Sequence, residues 1–400
     1  MKIPIIWDKI LLPRPSVDLY KWAVVACDQY TSNSGYWERL DKEIGDSPST
    51  LKLILPEVFL GKNDETRSDE IAKIMRKYVS EGLFDEVDEG VIVIERTTPP
   101  LLKSGQSKKR HGIMLVVDLE AYSFKHEDKA LIRATEGTVV ERVPPRADVR
   151  IKCDLELPHI MLLVDDPNLT LIEPLVKSDG YPLYDTELNG GGGRVRGKLV
   201  KGRESVERAL KSLIDESIKK YGEPFLFGVG DGNHSLAAAK ATFKKNKYAL
   251  VEVVNIYDEG LNFEPIHRLV VGGNPKELVA ALISKFGETN TKSNLIFGKQ
   301  KVCLNFPKDA IKTVAEVQEI LDVFVGIHGG IIDYIHGEGE LEELCEKSED
   351  NVGIFLPSMD KSQLFDYVVK NGALPRKTFS MGEAYEKRYY LEARKIVTDV

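Results

Sequence analysis

Cysteine is scarce in this chain: Cys27, Cys153, Cys303 and Cys345 lie far apart and form no CxxC pair. That spacing argues against a structural zinc site and fits a reducing compartment. Long apolar runs are missing too. None approaches the ~20 residues needed to cross a bilayer, and the apolar start Met1–Trp7 is broken by Pro4 and then by Asp8, unlike a signal peptide. Excess positive charge is also lacking. A formal net charge of -8 argues against general affinity for nucleic acid or anionic membrane, because counterion release needs clustered cations. Low-complexity tracts and internal repeats are missing as well. The expected molecule is therefore a cytoplasmic globular protein with neither nucleic acid nor membrane as partner.

With 42% hydrophobic and 30% charged residues over 400 positions, the chain is too long for one ordinary core. Alternating strand and helix patterns predict an α/β protein with mixed sheets in three parts. These are an N-terminal α/β lobe (1–130), a catalytic core (131–260) and a C-terminal α/β lobe completing the site (261–400). Strands are expected at 90–95, 112–118, 159–164, 225–229, 248–257, 302–306, 331–336 and 352–356. Helices are expected at 69–83, 276–286, 314–325 and 362–370, and through Val206, Leu210, Leu213, Ile214 and Ile218. The segment from Met381 through Glu383–Arg388 reads as a charged helix. Self-association is left open.

The most informative segment is Asp231-Gly232-Asn233-His234-Ser235, between a strand and an alanine-rich helix. Backbone N–H groups at a helix N-terminus are unpaired within the helix and face the positive end of its dipole, which suits phosphate. Gly232 permits a tight backbone, Asp231 could hold Mg²⁺, and His234 and Ser235 could donate to phosphate oxygens. Helix capping by Asp, Asn and Ser explains much of the same pattern, but capping does not require His234.

Upstream, Arg133, Arg142, Arg146 and Arg150 place four guanidinium groups within eighteen residues, with Pro144 and Pro145 expected to prevent a regular helix. Bidentate arginine forks suit phosphate and carboxylate oxygens; a solvated basic surface is the alternative. Glu136 stands among these cations, which would keep it ionised.

The loop resembles the Asp-Gly-His-His-Arg type signature of the domain-of-unknown-function family 1015. That family looks related to a ParB/sulfiredoxin-like group that includes free serine kinases. Three further segments carry the likeness. Arg133-Ala134-Thr135-Glu136-Gly137-Thr138, with Arg142 and Arg146, precedes the strand end Asp166-Pro167. Glu264-Pro265-Ile266-His267-Arg268 is similar to a Pro-x-His-Arg element, and Leu374-Pro375-Arg376-Lys377-Thr378 to a Pro-x-Lys-Ser/Thr ending. The likeness runs from about residue 130 onward, and motif order is its specific part. Asn233 and Ser235 depart from the signature, which loses its second histidine and its arginine; Arg142, Arg146 or Arg194 would have to replace that cation.

The resemblance implies a ParB/sulfiredoxin-like core flanked by additional lobes. It also implies a small-molecule kinase forming O-phosphoserine from L-serine, with pyrophosphate, or else ADP or ATP, as donor and Mg²⁺ as cofactor. Glu136, Asp231 and His234 would be catalytic, with Asp231 on the metal. Phosphate and substrate would be bound by Arg133, Thr138, Arg142, Arg146, Arg150, Arg194, Gly232, Asn233, Ser235, His267, Arg268, Arg376 and Lys377. The competing class is a non-catalytic nucleotide- or DNA-binding module, disfavoured by net charge. Sulfiredoxin chemistry needs a cysteine in the loop, and residues 231–235 contain none.

Other motifs are weaker. Gly192, Gly197 and Lys198 match P-loop spacing, but Leu199 stands where a Ser or Thr should meet Mg²⁺ and no apolar strand precedes the loop. A glycine flap carrying Arg194 or Arg196, or an ordinary surface hairpin, remains. Cys27 would need a histidine partner to act as a nucleophile. His111, His126 and His328 lack metal-ligand spacing. His159 and His267, each beside a strand end, are better site candidates, and His336 is undecided.

Overall fold

The computed structural model describes residues 1–30, 33–56, 58, 64–99, 107–138, 140, 143–290 and 292–396. The chain forms two compact units. The larger comprises Met1–Leu261, Phe365–Ala373 and Ala384–Val400; the smaller comprises Asn262–Leu364 and Leu374–Glu383. The protein is a mixed α/β structure.

The larger unit is organised by a ten-stranded sheet. Its order is Tyr181–Leu188, Gly193–Val200, Val91–Thr97, Lys109–Asp118, Tyr248–Asn255, Met161–Val164, Phe227–Asp231, Ile132–Ala134 and Tyr122–Ser123; Ile5–Ile6 pairs with Lys109–Asp118. Val91–Ile94, Ile113–Val117, Ala249–Val251 and Met161–Val164 are apolar throughout because both faces of the sheet are covered there. Side chains alternate between faces, and the packing follows that period of two. Ile92, Ile94, Met114, Val116 and Leu250 join one core with Trp22, Trp37 and the C-terminal Tyr389–Leu391. Val91, Val93, Ile113, Leu115, Val117, Val251 and Val253 join the opposite core. There the Arg203–Tyr221 helix supplies Val206, Leu210, Leu213 and Ile214, and it stops at Gly222 in the left-handed conformation (φ 74°).

The strand–loop–helix at Asp231 is present, with a strand at Phe227–Asp231 and a helix at Asn233–Ala241. Its strand runs parallel to Ile132–Ala134 and antiparallel to Met161–Val164, which is in turn parallel to Tyr248–Asn255. The basic segment also differs from expectation. Val143–Lys152 is a regular helix, with Pro144 and Pro145 in its first turn. Proline is tolerated there because the first N–H groups have no intrahelical acceptor to lose. The helix packs through Val143 and Ala147 on Ala237 and Ala238 of the loop helix.

The C-terminal charged run is not a helix. Only Ala384–Glu386 forms a 3₁₀ turn and Arg394–Lys395 a short strand, and Glu386, Lys387, Arg388, Glu392 and Arg394 are all buried. The smaller unit has a sheet in the order Gln300–Val302, Leu295–Phe297, Asn351–Ile354, Phe263–Val271 and Ile331–His336, with Phe379–Met381 on the start of Phe263–Val271. Helices Pro275–Phe286 and Ala310–His328 close its core around Val270, Val314 and Leu321. Among the described residues no helix is long and apolar enough to cross a membrane.

Candidate functional site

The Asp231 loop turns at Gly232, whose φ of 83° puts it in the left-handed region. A Cβ there would lie 3.0 Å from Ile160 Cα, so both conformation and space favour glycine. Asp231 Oδ1 accepts from Gly232 N at 2.9 Å, and Oδ2 lies 3.3 Å from Lys387 Nζ. The Asn233–Ala241 helix that follows has no side-chain cap at its N-terminus. Its first amides are therefore not satisfied by the capping that the sequence also allowed. Asn233 Oδ1 is buried without a hydrogen-bond partner among the described residues.

Ser235, in the first turn of that helix, lies 3.0 Å through its Oγ from His159 Nε2. His159 Nδ1 lies 2.8 Å from the hydroxyl of Tyr390. Burial, reinforced by Arg146 and Arg388 and partly offset by Asp231, pushes His159 down to about 4, so its imidazole is neutral at pH 7. Arg146 thus acts electrostatically on the loop from the helix packed beside it. The parallel pairing of Gly228 with Arg133 and Val229 with Ala134, and the 2.6 Å bond from Thr135 Oγ1 to Val229 O, send Thr135–Thr138 out of the sheet alongside the loop. Glu136 and Thr138 travel with that segment; Thr138 Oγ1 is buried without a hydrogen-bond partner among the described residues.

Other expected ligands have their donors engaged elsewhere. Arg133 donates to Glu223 at 2.6 Å, to Ala130 O at 2.8 Å and to Pro224 O at 2.7 Å. Arg150 is paired with Glu156 at 2.5 Å and donates to Tyr248 O. Arg194 and Arg196 lie on an antiparallel hairpin, the first on Asp185 and Glu187, the second on Asp185 and Glu95. That hairpin's turn is pinned by the Tyr389 hydroxyl donating to Asn189 O at 2.7 Å. Arg142 lies outside the described residues.

In the smaller unit, His267 is buried and its Nδ1 accepts from Leu356 N at 3.1 Å. Arg268, fully buried, donates to Gln318 and to the carbonyls of Ile266, Arg376 and Lys377, so it fixes the 374–378 turn. The Arg376 guanidinium carbon lies 5.3 Å from the Tyr334 ring centroid and an Nη lies 3.6 Å from Asp322; Lys377 has a positive φ of 56°.

Sequence reasoning missed the buried network behind the loop. Arg388 donates to Glu252 and to Glu392, to Pro158 O at 3.2 Å, and contacts Met114 Sδ at 3.3 Å. Tyr184 donates to Glu392. Arg110 lies 3.7 Å from Glu252, and Arg96 donates to Tyr385 O at 2.8 Å. Burial, then the neighbouring Arg110 guanidinium, push Arg96 down to about 10. Arg96, Arg110, Glu252, Arg388 and Glu392 border a cavity of about 20 Å³, room for one water. Because Arg388 also holds the carbonyl preceding His159, the network fixes the imidazole's backbone. The missed signal was the set of four charged residues at 383–388 within an otherwise aromatic and apolar segment.

Among solved structures, the chain is similar to a conserved hypothetical protein from Pyrococcus furiosus (12% identity, 71% of this chain and 95% of that one, TM-score 0.39). It is also similar to SbnI with a C-terminal truncation from Staphylococcus aureus (13%, 67% and 81%, 0.39). A third likeness is to a free serine kinase in complex with AMP (11%, 70% and 90%, 0.40). At these scores no residue correspondence is carried across. No curated protein matches. The sequence itself matches the family model described as "Protein of unknown function (DUF1015)" over residues 10–324, and with the Asp231 motif inside that span the chain belongs to this family.

Proposed function

We propose that the chain is a phosphotransferase that moves a phosphoryl group onto the hydroxyl of a small molecule, with free L-serine as acceptor and pyrophosphate, ADP or ATP as donor. The observation that carries the reading is the Asp231 loop. A helix N-terminus without a side-chain cap opens beside a carboxylate, a lysine, a histidine-bound serine and a nearby arginine. Phosphoryl transfer needs little covalent help from protein; positioning and charge stabilisation dominate.

In this scheme the amides following Gly232, with His234 and Ser235, hold phosphate oxygens, and Arg146 and Lys387 offset their charge. Glu136 accepts the proton of the acceptor hydroxyl. Serine as acceptor is what the sequence's resemblance to the group that includes free serine kinases implies. The described residues contain no cluster of three or more His, Cys, Asp or Glu side chains placed to hold a metal. One carboxylate, Asp231, fits Mg²⁺ that arrives on the donor's phosphate oxygens better than a resident ion. Such an ion neutralises developing charge when bound.

The test is direct. Purified protein incubated with Mg²⁺, L-serine and each donor in turn yields O-phosphoserine by mass spectrometry, and Asp231→Ala and Glu136→Ala both abolish it. No product from any donor, or full activity in both variants, contradicts the proposal.

A further inference from the structure

Ser235, His159 and Tyr390 come from three segments, 76 and 231 residues apart, yet form one continuous chain of hydrogen bonds. A helix N-terminal serine needs no histidine behind it to bind phosphate. A phenol on the far nitrogen of that histidine adds nothing to phosphate binding either. The same three groups do have a use in nucleophilic catalysis: a hydroxyl, a base within hydrogen-bond reach and a third group orienting the base. The helix amides beside the hydroxyl would stabilise charge on the attacked group. Residue 235 is also where this chain departs from the signature it otherwise resembles.

We propose that Ser235 is a nucleophile that carries the transferred group, with His159 as its base and Tyr390 as a positioning residue. The inference rests on the phosphoryl-transfer reading only for the identity of the electrophile. With the imidazole proton on Nδ1, His159 donates to Tyr390 and its Nε2 accepts from Ser235. Ser235 Oγ then attacks phosphorus as the bond from phosphorus to the leaving oxygen breaks. The Oγ proton passes to His159 Nε2 and on to the departing phosphate or nucleoside diphosphate, leaving phosphoserine on the enzyme and a neutral imidazole. In the second half the acceptor hydroxyl attacks that phosphorus as its proton passes to Glu136; the bond from phosphorus to Ser235 Oγ breaks, and the serine is restored with a proton drawn from solvent through His159 Nε2.

Three measurements test it. A fluorophosphonate probe reads nucleophilicity without any donor. It is expected to form an adduct on Ser235, located by tandem mass spectrometry. Ser235→Ala forms none, and His159→Asn slows the adduct on the order of 100-fold or more, the range of general-base assistance. Tyr390→Phe is expected to shift the ¹⁵N signals of His159 away from the Nδ1–H tautomer, which lost packing alone would not do. An unlabelled Ser235 in folded wild type, or labelling unchanged in His159→Asn, overturns the proposal. The third measurement is O-phosphoserine production by Ser235→Ala. A wild-type rate overturns the nucleophile while leaving phosphoryl transfer standing. Adduct on Ser235 with no O-phosphoserine from any donor sinks the phosphotransferase and leaves the nucleophile.

Discussion

Replacing Arg388 by methionine tests whether the buried C-terminal charges hold the larger unit together. The guanidinium is 4% exposed and the Glu252 and Glu392 carboxylates it bridges are each 1% exposed. Methionine keeps most of the stem's packing but removes the cation, so two carboxylates remain buried without their main partner. Breaking a buried ion pair from one side costs about 3–5 kcal/mol, most of it desolvation of the charge left behind. Arg110, 3.7 Å from Glu252, recovers part of this, which favours the lower end of the range. Urea unfolding followed by tryptophan fluorescence measures the loss, since Trp7, Trp22 and Trp37 all belong to the larger unit. Adding Glu252→Gln and Glu392→Gln to Arg388→Met should recover much of the loss, because the stranded charges are gone. A single Arg388→Met variant within about 1 kcal/mol of wild type would refute the reasoning.

Three further outcomes follow. Gly192→Ala places a Cβ 2.2 Å from the Tyr389 hydroxyl, so it should cost roughly 1–3 kcal/mol in the same unfolding assay. Arg268→Met in the smaller unit strips buried acceptors on Gln318, Ile266, Arg376 and Lys377 of their donor. It should cost about 2–4 kcal/mol, with hydrogen exchange rising first at 374–378. Histidine NMR should show His159 titrating near 4 rather than 6.5. A depressed histidine binds its proton more tightly when unfolded. Its contribution to stability is therefore complete above about pH 6.5 and lost as pH falls through 4, and His159→Gln should flatten that part of the profile.

The strand–loop–helix at Asp231 was legible because its signals are local: an apolar strand, a glycine with positive φ and an alanine-rich helix within fifteen residues. The Arg203–Tyr221 helix was legible for the same reason, with a 3.6-residue stripe and a glycine stop. The arginines were not. Arg133 and Arg146 look alike in sequence, yet Arg133 is saturated by Glu223, 90 residues away, whereas Arg146 lies near His159. Partners decide an arginine's use, and partners across a sheet leave no local trace. The prolines misled because a residue that breaks a helix interior is well placed in its first turn. The run at 383–388 misled for a related reason: charged residues read as solvated unless their counter-charges are visible, and Glu252 lies 136 residues from Arg388.

The most direct test of the phosphate-handling loop is thermal denaturation of the full chain with Mg²⁺ and pyrophosphate, ADP or ATP, in wild type and in Asp231→Ala. A ligand held at 100 times its dissociation constant adds about 2.7 kcal/mol to the native state. For a unit of this size that corresponds to a rise of roughly 5–10 °C in Tm. At least one of the three should produce such a rise in wild type, and Asp231→Ala should lose most of it. A wild-type Tm that none of them moves, or an equal rise in the variant, contradicts the account.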